Sequence, residues 1–182
     1  MLRKKGVWYI LGRLLSLGFC IFFILLCGCA TTMKINPQVT QMENINFQIK
    51  GEIICEGNKE YLPRVLVEES EPNSKLIFKY VYNAIYGKHD VPDLVALYNP
   101  FTIVGFPTGE NTVTIIGKLD VLKGEEVVKS YIATCVLEKT RSLFSEGTFT
   151  EMRRKGLIAV RNNLEVQIYL DRGYLEKLLV PE

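Results

Sequence analysis

Histidine is almost missing from this chain: His89 is the single one in 182 residues. With no second imidazole, a His/Cys zinc site cannot be assembled in the usual way. A Ser/His/Asp triad would have to use His89, and no nucleophile elbow of the G-x-S-x-G type accompanies it. A surplus of charge is missing as well. Lys and Arg number 22 against 20 Asp and Glu, a formal net charge of +2, and no clustered basic face of the kind that holds nucleic acid is written. The trio Arg153, Arg154 and Lys155, flanked by Glu151, reads as the solvated face of a helix. A phosphate loop fails too, because Gly105 to Gly109 (GFPTG) is followed by Glu110 where Lys and Ser or Thr are needed. The carboxylate pairs Glu68 with Glu69 and Glu125 with Glu126 alternate sides or lie in a turn, with nothing apolar beside them to raise a pKa. No catalytic residues, no metal site and no bound cofactor are expected, and the chain is read as non-enzymatic.

What is present is a long apolar run near the start. Arg3, Lys4 and Lys5 supply a basic opening, Arg13 adds a further charge, and Leu14 to Leu26 are 13 residues without one. This is the build of a secretory signal. A plain transmembrane anchor is the alternative, since Gly6 to Gly28 is 23 residues and a helix of about 20 spans a bilayer. Arg13 counts against it, because a charge within the span costs roughly 2.5 to 3.5 kcal/mol. The run closes on Leu26, Cys27, Gly28 and Cys29.

That junction resembles the lipobox of bacterial lipoproteins: an aliphatic residue, a small one and Gly or Ala before a cysteine. The resemblance covers about the first thirty residues. It implies a diacylglycerol thioether on Cys29, cleavage between Gly28 and Cys29, and an N-acyl chain on the new amino terminus. Cys27 and Cys20 are poor substitutes, each preceded by a bulky residue, Leu26 and Phe19. Ala30 and Thr31 lack the aspartate that resembles an inner-membrane retention signal, so the expected address is the outer membrane, facing the periplasm.

Removal of residues 1–28 takes away four basic residues and no acid, which turns the net charge to −2 and leaves 154 residues, enough for one domain with a proper core. Cys55 and Cys135 then remain in a compartment that permits disulfides. Both are read as strand residues on core-facing parities, so a bridge between them is conceivable, with two buried small hydrophobes as the commoner outcome. Residues 29–44 are expected to be the lipidated cysteine and a flexible tether. The fifteen residues Ala30 to Asn44 would reach at most about 50 Å extended and average roughly 21 Å as coil.

A single domain is expected over residues 45–182. From Ile45 the sequence alternates, with Ile45, Phe47, Ile49, Ile53 and Cys55 on one parity, as a strand with one wet face does. Arg64 to Glu68 predicts a second strand. Lys75 to Tyr86 fits a helical stripe or a strand, and a helix ended by Gly87 is expected. Pro92 to Tyr98 predicts a short helix. In Tyr98 to Asn111, the apolar residues Phe101, Ile103, Val104 and Phe106 stand among prolines and glycines. They form either a binding edge for a partner or acyl chain or a cover over one end of the core. Thr112 to Val121 and Glu126 to Lys139 predict a β-hairpin. A long helix follows, opened by a capping box of Thr148 and Glu151 and ended at Gly173.

The expected fold is thus α+β, a two-layer sandwich: a mostly antiparallel sheet of about four strands with a long C-terminal helix and a second helix on one face. In outline this looks like the small accessory lipoproteins of bacterial envelope assembly and transport. The expected function is a lipid-anchored, non-catalytic accessory or scaffolding protein with a protein partner in the envelope, its oligomeric state open and no nucleic acid involved. The alternative is a periplasmic carrier for a lipid or other apolar ligand.

Overall fold

The structure is a computed structural model that describes residues 31–40, 42, 45–69, 75–90, 108–141 and 148–179. The chain divides into two compact units. Met33–Gly87, Thr112–Glu138 and Thr148–Glu182 form the unit that holds the hydrophobic core. Met1–Thr32, Lys88–Asn111 and Lys139–Gly147 form the other, in which Thr108 N–H donates to the Arg141 carbonyl at 2.8 Å.

Six strands make one mixed sheet. They are β1 (Thr31–Asn36), β2 (Ile49–Glu56), β3 (Leu66–Glu68), β4 (Ile77–Asp90), β5 (Gly109–Lys123) and β6 (Glu126–Arg141), in the order β1-β6-β5-β4-β2-β3. A single-turn 3-10 helix lies at Lys59–Tyr61, and two helices follow the sheet in sequence, α1 (Phe149–Leu170) and α2 (Arg172–Leu179). Of the described residues 52% are strand and 28% helix. The expected α+β sandwich with about four mostly antiparallel strands is therefore incorrect, and two elements account for most of the difference.

The first is β4, which was expected to be a helix. Leu76, Phe78 and Tyr80 are fully buried, so burial follows period two, and β-branched and aromatic side chains at Ile77, Phe78, Tyr80, Val81 and Tyr82 suit a pleated surface. Helical and strand spacing both fit this stretch in isolation. The partner decides: Ile77 to Val81 pair in parallel with Glu52 to Glu56 of β2, and Gly87 lies inside the strand instead of ending a helix. The second is β1, within the stretch expected to be a tether. Ile35 packs against the core, and the strand forms the sheet edge beside β6.

The hairpin is present as β5 and β6, with β5 longer than expected at both ends and β6 at its C-terminal end. Val113, Ile115, Gly117, Leu119 and Val121 turn inward along β5, and Tyr131, Ala133, Cys135 and Leu137 along β6. The turn between them uses Gly124 at φ 65°, a left-handed conformation that favours glycine.

Helix α1 buries Met152, Gly156, Val160, Leu164 and Ile168 at intervals of four residues, with Leu157 beside them, the spacing of one helical face. Thr148 caps it in extended backbone geometry without a side-chain hydrogen bond, so the expected capping box does not form. Glu151 pairs with Lys155 one turn on, at 2.8 Å. The helix breaks at Asp171, and Gly173 falls in the first turn of α2. Two glycines set the approach of α1 to the sheet. A Cβ on Gly117 would stand 2.5 Å from Val160 Cγ1, and one on Gly156 would stand 2.7 Å from Ile115 Cγ1 and 2.8 Å from Leu137 Cδ1.

Candidate functional site

The candidate site begins where a strand fails to form. The in-and-out alternation of β2 extends back to Ile45, with Ile45 and Phe47 half-buried and Asn46 and Gln48 exposed, yet the ladder starts only at Ile49. The reason lies in the neighbouring chain. β3 runs parallel to β2 from the pair Ile49 and Leu66, and Ile49 N–H donates to the Val65 carbonyl at 2.8 Å. Before that point the neighbour turns away. Leu66 N–H closes back on the Pro63 carbonyl at 3.1 Å, and Pro63 has no N–H to give. Among the described residues, the backbone N–H and C=O groups of Ile45 to Gln48 have no hydrogen-bond partner.

The turn that withdraws from this segment is held by Glu165 of α1. Its Oε1 accepts from the Arg64 backbone N–H at 2.7 Å and from Arg64 Nε at 3.0 Å, and its Oε2 accepts from Nη2 at 3.0 Å. The side chains differ in exposure: Arg64 is 68% exposed and Glu165 is 6%. Three bonds to one carboxylate, two of them from a guanidinium fork, make the strong charge-assisted arrangement that a buried carboxylate requires. The hydrogen bond to Glu165, followed by its charge, holds the Arg64 pKa above its ordinary value. A second guanidinium, Arg161, lies 3.7 Å from the same carboxylate and donates to the Glu60 carbonyl at 3.3 Å.

Between these parts is a cleft of about 570 Å³, within the size range of ligand sites. Met42, Ile45 and Phe47 give it apolar wall, Asn46 and Gln48 add two amides, and the Arg64–Glu165 pair with Val65 forms the remainder. Phe47 is fixed edge-on against Tyr169 of α1, ring centroids 6.4 Å apart. Nearby, Asn163 donates to the Pro37 carbonyl at 2.7 Å, and Gln167 bridges Asn163 Oδ1 and the Ile132 carbonyl at 2.7 and 3.0 Å. That polar seam ties the segment after β1 to α1 and β6.

No family model matches the sequence, and no curated protein matches it. Among solved structures, a neuraminyllactose-binding hemagglutinin homologue from Helicobacter pylori is similar at 12% identity and a TM-score of 0.37, over 78% of this chain and 97% of that one. A likeness at that level carries no functional argument.

The residues singled out in the sequence fall elsewhere. Gly28 and Cys29, and Phe101, Ile103, Val104 and Phe106, lie outside the described residues, as does the short helix expected at 92–98. Cys55 and Cys135 are free thiols, and the sheet order explains it. β4 and β5 stand between their strands, so the two are three strand spacings apart, about 14 Å, against a disulfide limit of about 7 Å. Burial pushes the Cys135 thiol up to about 11. His89 is exposed near the end of β4 rather than in a loop, and Arg153, Arg154 and Lys155 are exposed on α1. Among the described residues, no group of three or more His, Cys, Asp and Glu is placed to hold a metal, and no helix is long and apolar enough to cross a membrane. Sequence reasoning missed Arg64 and Glu165 as a pair, since they are 101 residues apart. The one available signal was Glu165 itself, a charge set between Leu164 and Val166 on a helix that buries both.

Proposed function

We propose that this protein is a lipid-anchored, non-catalytic accessory lipoprotein of the bacterial cell envelope, working through protein contacts on the periplasmic side of the outer membrane. The observation that carries this reading is the junction Leu26-Cys27-Gly28-Cys29 at the end of an apolar run preceded by basic residues. Cys29 would bear diacylglycerol and an N-acyl chain, two anchoring signals of the kind stable membrane attachment needs.

The fold alters how such an anchor would work. Strand β1 begins at Thr31, two residues after the cysteine. Met33, the first residue of the core-bearing unit, can then lie no more than about 14 Å along the chain from Cys29, where a free tether would have allowed about 50 Å. A lipoprotein built this way meets partners at or in its own membrane, not partners far across the periplasm. The alternative, a carrier that shelters an apolar ligand between sheet and helix, has less support. Gly117 and Gly156 bring α1 against β5 and β6 with no space for even one added methyl.

Cys29→Ser tests the anchor. Acyl labelling in cells should be abolished and the unprocessed precursor should accumulate; normal processing of that variant would sink the proposal.

A further inference from the structure

We propose that residues 45–48 are a strand-addition site, where an extended, acidic peptide segment of a partner protein pairs with the open backbone in the Arg64–Glu165 cleft. This rests on the reading of the protein as a partner-binding accessory subunit and names the chemistry of the partner.

Three observations carry it. The segment continues the alternation of β2 with its backbone groups unpaired among the described residues, and an unpaired run beside a sheet is a template for another strand. The cleft beside it is already open, because the turn at Pro63 to Leu66 withdraws β3 and the Glu165 hydrogen bonds keep that turn in place. Among the described residues, an incoming strand therefore displaces nothing from the β3 side. The charge is also complementary to an acid. Arg64 and Arg161 face the single carboxylate of Glu165, which leaves one positive charge in excess. Arg64 Nη1 makes no hydrogen bond among the described residues, and its side chain is largely exposed. A carboxylate on the added strand can accept from that nitrogen without breaking the pair beneath. An apolar side chain two positions along the strand would then meet Ile45 or Phe47, since alternate residues share a face.

The probe is a library of blocked heptapeptides with aspartate fixed at the fourth position and Val, Thr, Ile, Lys or Ser elsewhere, tested against the full chain extracted from whole cells in detergent. The tightest binder is then remade with N-methyl groups on alternate residues, and separately with Asp replaced by Asn. We expect N-methylation on one parity to weaken binding at least tenfold and on the other parity to have little effect, with a three- to tenfold loss for the Asn peptide. Amide exchange at Ile45 and Phe47, whose N–H groups share the β3-facing parity of Ile49, should slow at least tenfold on binding. Phe47→Pro, which removes a backbone donor on the side that faces β3 at Ile49, should weaken the same peptide. The peptide-side changes leave the protein untouched, so an effect of Phe47→Pro on folding cannot mimic the result. No binder, a binder indifferent to N-methylation on both parities, or a cleft that takes up a fatty acid and no peptide overturns the proposal. Binding in detergent is measured whether or not Cys29 is acylated, so failure here and failure of the anchor are separate results.

Discussion

Gly156→Ala should destabilise the protein, although alanine is the better helix former. Gly156 lies in the middle of α1, and in a solvent-exposed helix interior the exchange would add about 1 kcal/mol of stability. Here the new methyl would stand 2.7 Å from Ile115 Cγ1 and 2.8 Å from Leu137 Cδ1. Those side chains are 0% and 1% exposed, so overpacking of about 1 to 3 kcal/mol opposes the gain. The net expectation is a loss of about 1 kcal/mol. Gly173→Ala, in α2 with nothing within 4 Å of the added carbon, is the matched control and should gain about 0.5 kcal/mol through the unfolded chain. At about 2 to 4 °C per kcal/mol for a protein of this size, the two variants should melt roughly 3 to 6 °C apart, with wild type between them. Thermal unfolding followed by circular dichroism measures this. If Gly156→Ala melts with or above Gly173→Ala, the close approach of α1 to the sheet is not what the glycine is there for.

Removing the Arg64 side chain with Arg64→Ala strips two of three hydrogen bonds from the buried Glu165 carboxylate. It should cost about 2 kcal/mol or more in urea unfolding; a cost below about 0.5 kcal/mol would show the pair to be ornamental. For Asp120, burial raises the carboxyl pKa but is outweighed by hydrogen bonds from Lys118 and Ser130, so the folded value is lowered. The stability it contributes is present above its unfolded value near ~3.9 and is lost as pH falls through the lower folded value. Asp120→Asn should therefore shrink the difference in stability between about pH 5 and pH 2, and an unchanged acid limb refutes it. Cys135, its pKa pushed up to about 11 by burial, should resist thiol reagents at pH 8 in the folded protein and react in urea, and rapid native labelling would contradict its placement on the inner face of β6. A fluorophore on Lys34→Cys, within about 18 Å of Cys29 along the chain, should be strongly quenched by acceptors in the lipid headgroups once the acylated protein is in vesicles. Fifteen Gly and Ser residues inserted after Ala30 should weaken that quenching, and equal quenching with and without the spacer would remove the short anchor.

Elements defined by local spacing were legible in the sequence. The hairpin of β5 and β6 shows because one parity of each strand is apolar and a glycine turn joins them. Helix α1 shows because Met152, Leu157, Val160, Leu164 and Ile168 recur at helical intervals. The candidate cleft was not legible, because it depends on what fails to pair: Ile45 to Gln48 look like strand, and only the turn at Pro63 leaves them open. The capping box was misleading in the opposite sense, for Thr148 and Glu151 have the right spacing while Glu151 is engaged with Lys155.

By itself, then, the sequence determined the parity of the hairpin and the apolar face of the long helix. These are properties of neighbours along the chain, where side-chain direction follows directly from residue number. Only the tertiary structure decided that 77–90 is a strand, that 31–36 joins the sheet instead of hanging free, and that Arg64 meets Glu165. In each case the deciding partner is distant in sequence: β2 for β4, β6 for β1, and α1 for the turn before β3. A backbone that could satisfy its hydrogen bonds in two ways takes the one for which a partner strand is already in place.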